Sequence, residues 1–338
     1  FPYIPFDSTG SPARDLWGFT GDDQNNIWFL GDGLMKFDLE KEIFQRVPLR
    51  FEDKGINPRY INYDPGGFLW VSSSDEIFKY YPESDSLQRI PILSDDKIEE
   101  SGFRKISILQ DSTGQVWMSH NQHGLCWLDP EAGAFRVQAL NLPEHVDKHM
   151  NVGVMKEDPQ GHFWLLGRKA ELARFNPYTR EFRWSGLPVY SSVAPSSWGG
   201  MAIDYMGMIW FGTDRGLIQY DPETRLLTRM ETTNALAYVI DMISDRQGNI
   251  IVGTLEGVKV IDPGENAIRT IDVHLEDLFE GASWHTSVAR DEHFLWMGTF
   301  RAGLIRYNLE TDQYVNYRAN GLPGSIKSDY VTTVSYTH

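Results

Sequence analysis

The stretch Asp204-Tyr-Met-Gly-Met-Ile-Trp-Phe-Gly-Thr213, followed by Gly216-Leu-Ile-Gln-Tyr-Asp221, is the clearest copy of a pattern that runs through the whole chain. An Asp-x-x-Gly turn leads into an apolar strand centred on Trp. A Gly-Thr exit follows, then a Gly-Leu strand that ends in an aromatic residue and Asp or Asn. The turn Asp is read at Asp23, Asp64, Asp111, Asp158, Asp204, Asp245 and Asp291. The strand anchor recurs at Trp28, Trp70, Trp117, Trp164, Trp210, Ile251 and Trp296, between 41 and 47 residues apart. A period in the forties built of short alternating strands describes one four-stranded blade per repeat. The expected fold is therefore all-β: a seven-bladed β-propeller of four-stranded antiparallel blades, residues 1–338 forming one domain.

Within a blade the strands are named A to D, from the axis outward. Blade 5 sets the order, with strand A near Gly200–Asp204, B over Met208–Gly212, C over Gly216–Asp221 and D over Leu226–Met230. Asp closes the A–B hairpin by accepting backbone N–H bonds, and Gly takes positive φ. Trp on strand B is expected to fill the space between blades. The small residues after it are expected to let the B–C connection turn tightly. After blade 7 the segment Gly321–Tyr336 reads as another loop and strand A, as if cut from an eighth repeat. Residues 320–338 are then an overhang that closes the ring or begins a second propeller.

Composition narrows the function classes. The net charge of −16 argues against nucleic acid or an anionic membrane surface as partner. No run of 18 apolar residues exists, so direct membrane insertion by this segment is not expected. The chain starts at Phe1 and reads as a processed or excised piece. Its one cysteine, Cys126, lies in an apolar strand and reads as a small buried hydrophobe. No cofactor is expected. Each turn Asp offers one carboxylate in a tight hairpin and not a cage for calcium.

At Trp210–Asp221 and at Trp296-Met-Gly-Thr-Phe-Arg-Ala-Gly-Leu-Ile-Arg-Tyr-Asn308 the repeat resembles the two-component regulator propeller family. The tail Asn320-Gly-Leu-Pro-Gly-Ser-Ile-Lys-Ser-Asp-Tyr-Val331 is similar to that family's D–A connection. The resemblance spans essentially the whole chain. It loosens in blade 2, where Ser72-Ser-Ser replaces Gly-Thr, and in blade 6, where Ile251 replaces Trp. It implies a ligand-binding sensor portion of a bacterial hybrid histidine kinase-like receptor, in the periplasmic or extracytoplasmic part. The ligand it implies is poly- or oligosaccharide-derived. It also allows a homodimer or a second propeller in the full receptor. No kinase motif is present in these residues, so the isolated chain is not expected to be an enzyme.

The A–B turns are short and nearly invariant, whereas the B–C and D–A loops vary, and variable loops on a rigid scaffold carry recognition. Of 11 tryptophans, Trp198 and Trp284 alone have no repeat role. Each can stack on a sugar or plug the axis. Arg168, Arg215 and Arg301 in B–C loops can grip a carboxylate, as an acidic sugar would offer, or stay solvated. Lys169, Asp214 and Glu256 share those loops. His285 beside Trp284 completes the candidate ligand set. His120, His123, His145 and His149, with Asp147, fall on the same face of blade 3 and are weak metal candidates. Two other functions stay open. One is a propeller lyase or hydrolase acting on a polyanionic or cyclic substrate. The other is a protein-interaction platform.

Overall fold

The computed structural model describes residues 18–31, 33–38, 41, 43–73, 76–94, 106–120, 123–142, 152–167, 172–185, 200–213, 216–229, 239–245, 247–254, 257–265, 267–271, 273, 283–290, 293–319, 325–326, 329 and 331. They form seven four-stranded antiparallel blades in chain order, the seven-bladed β-propeller that the repeat predicts. Blade 1 comprises Gly18–Gly21, Asn26–Gly31, Gly33–Asp38 and Ile43–Val47. Blade 5 comprises Met201–Ile203, Ile209–Thr213, Gly216–Tyr220 and Leu227–Arg229. Blade 7 comprises Ser283–Arg290, Phe294–Phe300, Leu304–Asn308 and Tyr314–Tyr317.

Two compact units divide the chain. One holds Phe1–Arg89, Ile251–Val260 and Ile268–His338, and the other holds Ile90–Ile250 and Ile261–Ala267. In the first, blade 1 packs against blade 7 through Ile27, Phe29 and Phe37 on one side and Trp296 and Leu304 on the other. Its opposite face packs on blade 2 through Trp28, Leu30, Leu69 and Phe78. In the second unit the same stacking joins blade 3 to blade 4 and blade 4 to blade 5.

The strand-B anchors are the centres of these interfaces. Trp28, Trp70, Trp117, Trp164, Trp210 and Trp296 are all at most 3% exposed. An indole buried this deeply must place its N–H on an acceptor. The turn Asp six residues earlier provides it. Trp70 Nε1 donates to Asp64 Oδ2 at 3.0 Å, Trp117 to Asp111 at 2.9 Å, Trp164 to Asp158 at 3.1 Å and Trp210 to Asp204 at 2.8 Å. The other carboxylate oxygen holds the turn: Asp204 Oδ1 accepts the N–H groups of Met206 and Met208 at 2.9 and 3.0 Å. In blade 6, where Ile251 has no indole, the Asn249 side-chain amide donates to Asp245 Oδ2 at 2.9 Å, as the equivalent Asn26 does to Asp22 Oδ2 beside the Trp28 indole.

This geometry corrects the register at blade 1. Trp28 Nε1 donates to Asp22 at 2.8 Å, not to Asp23. Asp23 accepts the Tyr63 hydroxyl of blade 2 at 2.6 Å. Asn25, with φ of 58°, stands where the other turns have a glycine such as Gly207 at 80°. The missing glycine hides the true turn from a search for Asp-x-x-Gly. In blade 7 the position six before Trp296 is Arg290, and Asp291 lies outside the described residues.

Strand C adds a cation across from the indole. Lys36, Lys79, Arg174 and Arg306 pair in register with Trp28, Trp70, Trp164 and Trp296. Their charges lie 4.9–5.8 Å from those ring centroids. In blade 3 the partner is Trp127, and Arg180 stacks on it at 4.5 Å.

The Gly-Thr exit works differently from the expected tight turn. A Cβ on Gly212 would stand 2.3 Å from Val239 Cγ1, the start of strand A in blade 6. Glycine is needed there for the close approach of the next repeat, while Thr closes the B–C turn. Thr254 Oγ1 donates to Gly257 O at 2.9 Å, and Thr299 Oγ1 to Gly303 O at 2.7 Å. Two additions are absent from the repeat. Ile92–Leu93 pairs in parallel with Ala134–Val137 as a fifth strand of blade 3. A hairpin joins Arg50–Phe51 to Lys54–Gly55.

Asp204→Ala removes three hydrogen bonds, two of them to backbone, and should lower stability by about 3 kcal/mol or more. Trp210→Phe should cost about 1–3 kcal/mol by stripping a partner from a buried carboxylate. Trp210→Ala should cost about 3–5 kcal/mol through the added cavity. Urea midpoints for the three variants, with unchanged m-values, check this order.

Burial pushes the Cys126 thiol up to about 12. Native protein at pH 8 should therefore resist alkylation by iodoacetamide. Labelling should appear only as the blades unfold, which mass spectrometry across a urea series reads directly.

Candidate functional site

The B–C end of blade 7 departs from the repeat in a way that matters chemically. Strand A pairs with strand B at Ser283↔Phe300 and Trp284↔Thr299, then resumes at Val288↔Met297. His285, Thr286 and Ser287 therefore stand opposite the single residue Gly298, as a bulge on the innermost strand. Bulges re-aim side chains and concentrate beside functional sites. Register places Trp284 across from Thr299, two residues before Arg301. Trp284, His285 and Arg301 thus share one end of blade 7.

The loop that carries Arg301 is short and tightly held. Thr299 Oγ1 donates to Gly303 O and accepts the Ala302 N–H at 3.1 Å. Ala302 is buried, whereas Arg301 is exposed. Arg301 has φ of 75°, a left-handed conformation that costs an L-residue about 1–2 kcal/mol. Such strain persists only where the surroundings dictate it.

The remaining predicted positions are distributed differently. Arg168, Trp198 and Arg215 lie outside the described residues, as do Lys169, Asp214 and Glu256. His145, His149 and Asp147 lie outside them too. His120 is 2% exposed, and its Nδ1 accepts the His123 N–H at 3.1 Å. It ends strand B where blades 6 and 7 have Thr254 and Thr299, and it holds the same turn. The His120 and His123 rings stand 4.7 Å apart. Among the described residues no group of three or more His, Cys, Asp or Glu is placed to hold a metal ion.

The A–B turns also carry a feature that the repeat does not announce. In the second unit a cavity of about 360 Å³ is lined by Glu157, Asp158, Ile203, Asp204, Tyr205 and Ser244, among others. Asp158 and Asp204 are already committed to their indoles. Burial raises the pKa of Glu157, and the neighbouring charges of Asp111 and Asp158 raise it further. The exposed Tyr205 ring crosses onto blade 6, against Gly248 and Gly264. A Tyr in place of a polar turn residue is the only trace of this in the sequence.

No family model matches the chain. A histidine kinase, P4, of Formosa agariphila is 25% identical over 124 residues, which are 35% of this chain and 9% of that protein. The extracellular domain of a putative hybrid two-component system of B. thetaiotaomicron superposes with a TM-score of 0.57 at 18% identity. That match covers 90% of this chain and 40% of the other. The chain resembles two-component receptor propellers in sequence and in fold. It spans well under half of each of these two proteins. Virginiamycin B lyase of Staphylococcus aureus, solved with quinupristin, has a TM-score of 0.62 at 11% identity, over 88% of this chain and 95% of the lyase. At these identities the structural matches speak to the fold.

Replacing Arg301 separates its backbone from its side chain. Arg301→Gly should leave the melting temperature nearly unchanged, because glycine adopts positive φ freely. Arg301→Val should lower stability by about 1–2 kcal/mol or more, since a β-branched residue resists that conformation. Thermal melts of the two variants check the difference.

Proposed function

We propose that this chain is the ligand-binding, extracytoplasmic portion of a bacterial two-component receptor, and that its ligand derives from a poly- or oligosaccharide. One observation carries the reading. The bulged strand A of blade 7 puts Trp284 and His285 at the same end of the blade as the exposed Arg301, where the B–C loop lies. An indole offers a stacking face for a sugar ring. A guanidinium offers a forked donor pair for a carboxylate or for vicinal hydroxyls. The partial match to a histidine kinase and the likeness to the extracellular domain of a hybrid system support the sensor role. Coverage of only 40% of that domain supports reading the chain as one portion of a longer receptor. No helix among the described residues is long and apolar enough to cross a membrane.

The likeness to virginiamycin B lyase, which spans almost all of that enzyme, favours a second reading as a lyase. Such an enzyme would use His285 as a base beside Arg301. The two readings differ in the fate of the ligand.

Thermal-shift screening against a panel of neutral and acidic oligosaccharides tests the proposal. A ligand at about 100 times its Kd stabilises by roughly 2.7 kcal/mol. The expected result is one glycan class that raises the melting temperature and is recovered with unchanged mass. Its effect should vanish in Trp284→Ala/Arg301→Ala. Full affinity in that double variant would move the site elsewhere. Turnover that is lost in His285→Ala would establish the lyase reading.

A further inference from the structure

Val331 occupies on blade 7 the seat that Val239 occupies on blade 5. A Cβ on Gly212 would meet Val239, and a Cβ on Gly298 would meet the Val331 carbonyl at 2.5 Å and its Cγ1 at 2.8 Å. The backbone follows the same rule, with Val331 N–H donating to Thr299 O at 2.8 Å. Val331 and Ile326 are at most 1% exposed and join the core between blade 1 and blade 7. Ile326 and Val331 are therefore built into the interface of the two blades.

Asp329, between them in the chain, bonds to the Arg301 loop. Its main-chain oxygen accepts the Gly303 N–H at 2.9 Å. Its Oδ1 accepts the Ala319 N–H at 2.7 Å, and its Oδ2 accepts Arg318 Nη2 at 2.6 Å. One residue thus joins the B–C loop to the end of strand D. Gly303 has no slack in this arrangement. A Cβ there would stand 2.2 Å from Tyr317 O and 3.1 Å from Ile326 Cδ1. The conformation of the Thr299–Gly303 turn and the seating of Ile326, Asp329 and Val331 depend on the same contacts.

We propose that Asp329 is a positioning residue for the Arg301 loop, and that Ile326, Asp329 and Val331 form a clasp whose seating and the loop's geometry are one equilibrium. Among the described residues the clasp is held by the hydrogen bonds of Asp329 and Val331 and by the side chains of Ile326 and Val331. Segments held this way open below the threshold of global unfolding. A ligand that prefers the seated loop would then favour the seated clasp by the same free energy. This step rests on the reading of Arg301 as a ligand residue. The coupling of loop to clasp does not.

Hydrogen exchange resolved by residue, on the full chain without ligand, tests the coupling. Asp329→Asn weakens the charged bond to Arg318 and should speed exchange of the Gly303 and Val331 amides together, by about tenfold. Amides within strand B of blades 1 and 7 should keep their protection. Reaction of Arg301 with phenylglyoxal should change rate in the same variant. Arg318→Lys should retain most of the protection, and Arg318→Ala should lose it. Faster exchange at Val331 with Gly303 unaffected would overturn the proposal, as would no change at either. Loss of protection throughout both blades would also overturn it, since the segment would then be an ordinary part of the global fold. No ligand enters this measurement, so its failure leaves the sensor reading standing. Conversely, an Arg301 variant with full oligosaccharide affinity would leave the clasp standing.

Discussion

The bond from a strand-B indole to the turn carboxylate six residues before it sets the form of blades 1 to 5. A Trp buried to 1–3% gains its stability from apolar area, and would lose much of that gain if its N–H had no acceptor. The Asp that meets this need also accepts two backbone N–H groups of the A–B hairpin. Turn geometry, strand register and inter-blade packing therefore share one carboxylate. Blade 6 keeps the carboxylate without the indole: Asn249 donates to Asp245 there, as the equivalent Asn26 does to Asp22 in blade 1.

A cation on strand C adds a second layer to the same arrangement. Lys79 sits over both Phe68 and Trp70, with Asp64 close by, and burial lowers its pKa. Arg174 both faces the Trp164 ring and bonds to Asp158 at 2.9 Å. A buried carboxylate is costly unless it is bonded and paired, and these cations share that task with the indoles. One carboxylate in each of these A–B turns is thus structural. The loops at the other end of the blades are relieved of scaffold duties and can vary. Blade 7 makes use of this freedom with a bulge, a left-handed Arg301 and the docked Ile326 and Val331.

The number of blades, their strand order and the identity of their anchors were legible in the sequence because each depends on local contacts. An indole and a carboxylate six residues apart leave a periodic trace, as do a positive-φ glycine and a Gly-Leu strand. The trace failed where a local substitution kept the geometry with different residues, as Asn25 does for glycine beside Asp22. The Gly-Thr exit was legible as a motif but not as a mechanism. Gly212 is small because Val239, beyond strands C and D of blade 5, lies against it.

What the tertiary structure alone decided has the same origin. The bulge at residues 285–287, the fifth strand on blade 3, the cavity beside Glu157 and the seating of Val331 on Gly298 all join residues that no short-range pattern relates. The sequence singles out Trp284, His285 and Arg301, but it reads Trp284 and His285 as D–A loop residues, whereas they lie on the strand Ser283–Arg290, lengthened by its bulge. Their shared place at one end of blade 7 follows only from the pairing of strand A with strand B. The role of Asp329 was invisible, because its partners Gly303, Arg318 and Ala319 are brought to it by the turn of a whole blade. Local hydrogen bonding wrote the scaffold into the sequence, and long-range packing determined which of its loops meet.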